Sequence, residues 1–134
     1  MEIYELVPRV SIGDVPLCVT ARNLEALGYF EDINGFDDIL HWHTYTKREG
    51  LHCYVKDGDL VSVKCFKGCY FKGQDIIGKT PKEIFQIFGE PDEIGEPLWV
   101  NDHVQQVTYE FYDFGLQVWF EAGKVVSIFC NSEN

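Results

Sequence analysis

Residues 51–65 and 116–130 are two versions of one string. Laid over one another 65 positions apart, Leu51 meets Leu116, Gly58 meets Gly123, Val61-Ser62 meets Val126-Ser127 and Cys65 meets Cys130, and Gly50 and Gly115 extend the match at its front. The pairs Tyr54/Trp119, Val55/Phe120, Leu60/Val125 and Val63/Ile128 keep apolar character between those identities. A shared pleat with a shared core face demands that conservation of character, place by place. Upstream, Thr44-Tyr45 meets Thr108-Tyr109 at an offset of 64, and Thr20 meets Thr80 at an offset of 60. The growing offset marks insertions in the second copy, at loops where added residues cost little closure entropy. The two units span about 10–72 and 73–134.

Each unit reads as a short helix followed by strands. Thr80-Pro81-Lys82-Glu83 has the pattern of an N-cap threonine, a proline at the first helical position and a glutamate at N3, which together make a capping box. Ile84, Phe85, Ile87 and Phe88 supply an apolar stripe, and Gly89 followed by Pro91 stops the helix. Thr20, Leu24, Leu27 and Gly28 repeat this in the first unit, where Asn23 at N3 leaves the box incomplete. Strands are expected over 41–47, 51–56 and 60–66, then over 104–113, 116–121 and 125–130, with Asp57-Gly58 and Ala122-Gly123 as hairpin turns. Residues 1–10 suggest a further edge strand through Ile3, Leu6 and Val7. The fold class expected is α+β: two tandem helix-plus-antiparallel-β-meander units forming one pseudo-symmetric domain.

A chain of 134 residues buries roughly 65–70% of its unfolded surface and needs no metal or disulfide to fold. Ten Phe, seven Tyr and three Trp exclude a disordered chain. The 22 acidic residues against 11 basic ones leave a net charge of −11, which repels nucleic-acid phosphates and anionic lipid and favours a cationic partner. No N-terminal stretch joins basic residues to an apolar run, and no apolar run reaches membrane-spanning length, so a cytoplasmic protein without a membrane span is expected. Five cysteines, an odd number, then argue for reduced thiols buried as small hydrophobes. Cys65-x-x-x-Cys69 has half the spacing of a zinc site and no second half.

The string Ile77-Gly78-Lys79-Thr80-Pro81-Lys82-Glu83-Ile84, then Phe88-Gly89-Glu90-Pro91, then Gly115-Leu116 and Gly123-Lys124-Val125, resembles the repeat of the BamE and β-lactamase-inhibitor-protein superfamily. The likeness covers most of residues 73–130 and, more faintly, 11–66. It implies a helix packed on an antiparallel sheet, used twice, with a role in holding other proteins and no catalytic machinery. Members of that superfamily are exported, whereas this chain has the profile of a cytoplasmic immunity protein that neutralises a basic toxin domain such as a nuclease.

Glu110, Tyr112, Trp119 and Glu121 on one face of the second meander form the expected partner surface, with aromatics as anchors and acids as rim. The acidic loops after each helix, with Asp37 and Asp38 near Trp42 and with Asp92 and Glu93 near Trp99, are expected to lie along one edge as a paired anionic rim. The alternative is a small-molecule or metal site on His41, His43 and His52, brought together by a hairpin. No G-x-S-x-G, P-loop, dinucleotide-binding glycine pattern or H-E-x-x-H occurs, so neither catalysis nor a cofactor is expected.

Overall fold

The computed structural model describes residues 3–132; the first two residues of the suggested N-terminal strand and the last two of the second unit lie outside it. In chain order the elements are β1 Tyr4–Val7, β2 Ser11–Ile12, β3 Val15–Pro16, α1 Ala21–Ala26, β4 Phe30–Asp37, β5 Trp42–Thr46, β6 Leu51–Lys56 and β7 Asp59–Cys65. There follow β8 Cys69–Phe71, β9 Gln74–Asp75, α2 Pro81–Phe88, β10 Glu93–Ile94, β11 Leu98–Trp99, β12 Gln105–Phe111, β13 Leu116–Glu121 and β14 Lys124–Asn131.

This corrects the expected α+β class. Among the described residues half are strand (50%) and 13% helix, the latter made up of two α-helices of only 6 and 8 residues and a 3₁₀ turn at Tyr112–Phe114. They end early because Gly28 and Gly89, at φ 94° and 86°, take backbone conformations that L side chains rarely adopt. The strand suggested near the N-terminus is β1, not at an edge but in the middle of a second sheet of order β3-β2-β1-β8-β9, whose other strands fall in stretches read as connections; this sheet is antiparallel except where β1 runs parallel to β8. The first helix is better capped than its sequence suggested. Asn23 takes the place of the missing glutamate, its Oδ1 accepting from Thr20 N at 3.1 Å while Thr20 Oγ1 accepts from Asn23 N at 3.2 Å.

The large sheet has the order β10-β12-β13-β14-β7-β6-β5-β4, with β11 also on β12. Its two hairpins turn where both central residues can take φ > 0: Asp57 at 53° with Gly58 at 85°, and Ala122 at 51° with Gly123 at 77°. Such turns match the twist of the flanking strands. Each hairpin is also bulged in the same way. Ser62 faces Tyr54 but Leu60 faces Val55, leaving Val61 over, and Ser127 faces Trp119 but Val125 faces Phe120, leaving Val126 over.

The two meanders join in one sheet through β7 and β14. Ile128 pairs with Cys65, Cys130 with Val63, and Phe129 with Lys64. Because Val63/Ile128 and Cys65/Cys130 are equivalent places, the first two pairs map onto each other by a half-turn about the Lys64/Phe129 pair. The ends of the sheet formed by β4 and by β10 with β11 are therefore opposite one another.

One face of this sheet is core. Leu51, Cys53, Val63, Cys65, Val118 and Ile128 on it are at most 1% exposed, and they form one cluster with Leu24 of α1, Ile84 of α2 and Tyr4, Leu6 and Ile12 of the small sheet. Phe88 ties the layers together, its ring 5.0 Å from Phe71 on β8 and 5.5 Å from Phe111 on β12. The segment leading into each helix is stitched to a hairpin at matching places, Leu60 N to Val19 O at 3.0 Å and Val125 N to Lys79 O at 2.9 Å. The other face of the sheet carries neither helix nor small sheet, and it holds the candidate site.

Candidate functional site

Strand register sets which side chains share the outer face. One row runs Asp32, Thr44, Tyr54, Ser62, Asn131 across β4, β5, β6, β7 and β14. A second runs His52, Lys64, Phe129, Gln117, Glu110, Glu93 from β6 to β10. Trp119 stands between Ser127 and Thr108 in a third. Ring contacts link the rows: Trp42 to Tyr54 at 5.1 Å, Tyr54 stacked on Phe129 at 6.0 Å, and Phe129 to Trp119 at 6.1 Å.

Both ends of the sheet close down on this face. A glycine of each edge segment lies against a threonine of the next strand: a Cβ added to Gly35 would fall 2.8 Å from Thr44 Cβ, and one added to Gly95 would fall 2.4 Å from Thr108 Oγ1. Neither glycine has a left-handed φ, so close approach is what requires it there. Thr44 donates from Oγ1 to Gly35 O at 2.6 Å, and Thr44 and Thr108 are buried beneath the edges. The face is thus a trough of about 720 Å³ whose floor holds Trp42, Tyr54, Phe129 and Trp119 and whose wall is Asn34–Asp37 with Leu40.

Polar groups in and around the trough are held in place. Trp119 donates from Nε1 to Gln117 Oε1 at 2.7 Å, and Gln117 in turn donates to Glu110. Gln106 donates to Glu121 at 2.9 Å. Asp37 Oδ1 accepts from Ile39 N and Leu40 N at 2.8 and 3.0 Å, which fixes the turn at the wall and points a carboxylate into the lining. Burial, with added repulsion from Cys53 and Asp37, pushes the Tyr54 hydroxyl up to about 12, so it stays protonated at neutral pH. Burial and the neighbouring Lys64 lower the pKa of His52, whose ring packs on Phe66 at 5.0 Å.

Several expected site residues fall elsewhere. Tyr112 lies just past β12, where it begins a 3₁₀ turn and is 49% exposed, beside Glu93 and Glu110 of the outer row. A hydrogen bond to Glu93, followed by slight desolvation and nearby carboxylates, pushes its hydroxyl up to about 12. The anionic rims do not share an edge. Trp42, Asp37 and Asp38 lie at the β4–β5 end and Trp99, Asp92 and Glu93 at the β10–β11 end, as the half-turn between the units requires. Trp99 is 65% exposed, and Asp92 accepts from Tyr112 N at 2.7 Å.

The histidine cluster does not form. His43 pairs with Val55 on the core side, where its Nδ1 meets Glu31 Oε2 at 2.7 Å, while His52 pairs with Lys64 on the outer side. His41 stands in the turn at φ 58°. Among the described residues no group of three His, Cys, Asp or Glu is placed to hold a metal ion. Cys65 and Cys69 are joined as a disulfide, not set as half a zinc site, and the thiols of Cys53 and Cys130 are buried, which pushes each up to about 12. No helix among the described residues is long and apolar enough to cross a membrane.

The comparisons with known proteins bring no relative. No protein family, no curated protein and no solved structure matches this chain.

Sequence reasoning overlooked Phe129, Gln117, Asn131 and the wall residues Phe36 and Leu40. The pairing of β14 with β7 brings the first three into the trough, and no local pattern signals that pairing. The Gly35/Gly95 match at an offset of 60, the same offset as Thr20/Thr80, was a readable signal for the two closing ends of the sheet.

Proposed function

We propose that this protein is a binding inhibitor of the immunity type, which docks a basic toxin domain on the outer face of its large sheet. The observation that carries this reading is the aromatic trough left uncovered between two acidic ends. Segment 30–46 holds Glu31, Asp32, Asp37 and Asp38, and segment 90–103 holds Glu90, Asp92, Glu93, Glu96 and Asp102, with no Lys or Arg in either. Large rigid aromatics at the centre of a patch supply contact area at low entropic cost, and acids around them steer a cationic partner and set its orientation. The same ends carry exposed apolar side chains, Ile33 at 81%, Ile39 at 89% and Trp99 at 65%, which a docked partner would cover.

The test is capture from the lysate of the producing cell at low and moderate salt, with the wild-type chain and with a Trp42→Ala/Trp119→Ala variant. A basic protein held by the wild type, weakened by salt and lost with the variant supports the reading. A partner that is acidic, or held equally by the variant, overturns it.

Action beside a cytoplasmic toxin also requires Cys65 and Cys69 to be free thiols there, because a reducing cytoplasm keeps such pairs open. Alkylation inside the cell reads this directly: modified Cys65 and Cys69 support cytoplasmic action, and a blocked pair places the chain in an oxidising compartment.

A further inference from the structure

The trough has a chemical preference that the overall charge does not explain. Its lining contains one carboxylate, Asp37, no lysine and no arginine. Asp37 spends Oδ1 on two backbone N–H groups, so its second oxygen is left to meet a ligand. Beside it stand the faces of Trp42 and Tyr54, 5.1 Å apart and tilted by 31°. A flat cation is attracted by such ring faces and by a carboxylate at the same time.

The outer face already holds a cation in this manner. Lys64 Nζ lies 5.4 Å from the centroid of Phe66 and 5.9 Å from that of Phe129, the ring that stacks on Tyr54. The wall is fixed by the Asp37 turn and by Thr44 on Gly35, so the slot exists before any ligand arrives and little ordering cost falls on binding.

We infer that the trough is an arginine-accepting site: a guanidinium on an extended segment of the partner stacks on Trp42 and Tyr54 and pairs with Asp37. Arginine fits better than lysine because its planar fork stacks on aromatic faces and meets a carboxylate with two donors, whereas an ammonium is compact and strongly hydrated. A volume of about 720 Å³ admits the flanking backbone as well as the side chain. A second copy of this chain is disfavoured as occupant, since each copy carries −11 and the acidic ends would face each other. The inference rests on the binding reading above and names what the partner must present.

Tryptophan fluorescence tests it, with Trp99→Phe as the background so that only Trp42 and Trp119 report. The probes are three blocked Gly-Ser peptides carrying two arginines, two lysines or two citrullines. The expected result is saturable quenching by the arginine peptide at about tenfold lower concentration than by the lysine peptide, and none by the citrulline peptide. Asp37→Asn, which keeps the Oδ1 acceptor of the turn and removes the charge, weakens the arginine peptide about tenfold. Glu5→Gln, an exposed carboxylate on β1 of the small sheet, leaves it unchanged, and unaltered near-ultraviolet dichroism verifies the fold of both variants. Equal affinity for the arginine and lysine peptides, or equal weakening by Asp37→Asn and Glu5→Gln, overturns the inference. A basic protein still captured at full strength by Asp37→Asn sinks this site and leaves the inhibitor reading standing. Arginine-peptide binding with no basic protein captured does the reverse.

Discussion

Both ends of the large sheet close down at a glycine, Gly35 in the wall of the trough and Gly95 at the far end, and alanine at each gives a quantitative check on that close approach. A methyl group at Gly35 would sit 2.8 Å from Thr44 Cβ and 2.9 Å from its Oγ1. Carbon atoms prefer about 3.5–4.0 Å, so β4 must withdraw by roughly 0.7 Å. Overpacking of this kind costs about 1–3 kcal/mol. The withdrawal also stretches the 2.6 Å bond from Thr44 to Gly35 O, worth about 1 kcal/mol more. At Gly95 the clash is different: the nearest atom is Thr108 Oγ1 at 2.4 Å, while Thr108 Cβ stands at 3.8 Å in ordinary contact. Removing that hydroxyl therefore removes the clash. Urea unfolding should place Gly35→Ala about 2–4 kcal/mol and Gly95→Ala about 1–3 kcal/mol below wild type with unchanged m-values. Thr108→Ala should restore most of the loss in Gly95→Ala, a coupling of about 1–2 kcal/mol. Thr44→Ala should restore little in Gly35→Ala, because the obstructing Cβ remains. A Gly35→Ala chain within about 0.5 kcal/mol of wild type, or additive behaviour of Gly95 and Thr108, would refute the close-approach account of the two ends.

Three further outcomes follow from the structure. Partial burial opposes the Asp14 carboxylate, but the Tyr29 hydroxyl at 2.6 Å and Lys47 at 3.0 Å outweigh it and hold its pKa below the usual value. Its contribution is complete above the unfolded pKa of about 3.9 and is lost as pH falls through the folded value; Asp14→Asn should lower stability at pH 7 and flatten the acid limb of a pH–stability curve. Opening Cys65–Cys69, which are separated by 4 positions, by the double serine variant should cost about 2 kcal/mol, the entropy of a short loop, with the large sheet intact by circular dichroism. Ala122 holds φ 51° in its hairpin turn where Asp57 stands in the other copy, so Ala122→Asn should raise the urea midpoint by an amount equivalent to about 0.5 kcal/mol.

The repeat, the two hairpin turns and the helix caps lie in the sequence because each is local. A turn needs φ > 0 at two neighbouring residues, and Asp57-Gly58 can supply it. A cap needs a threonine and a side-chain acceptor three residues on, which Thr80 and Glu83 provide. The 65-residue offset carries a shared pleat because every side chain on one face recurs at equal spacing. What local pattern could not carry is partnership between distant backbones. Strand β7 finds β14, and β1 finds β8, through N–H and C=O groups that every residue possesses, so no residue type announces those pairs. From that pairing come the half-turn about Lys64 and Phe129, the acidic ends set opposite one another, and the separation of His43 from His52 on two faces. An alternating strand looks the same whichever face is buried; only the packing of two short helices and a small sheet against Leu51, Val63 and Val118 decided that Trp42, Tyr54, Phe129 and Trp119 would remain on the open side.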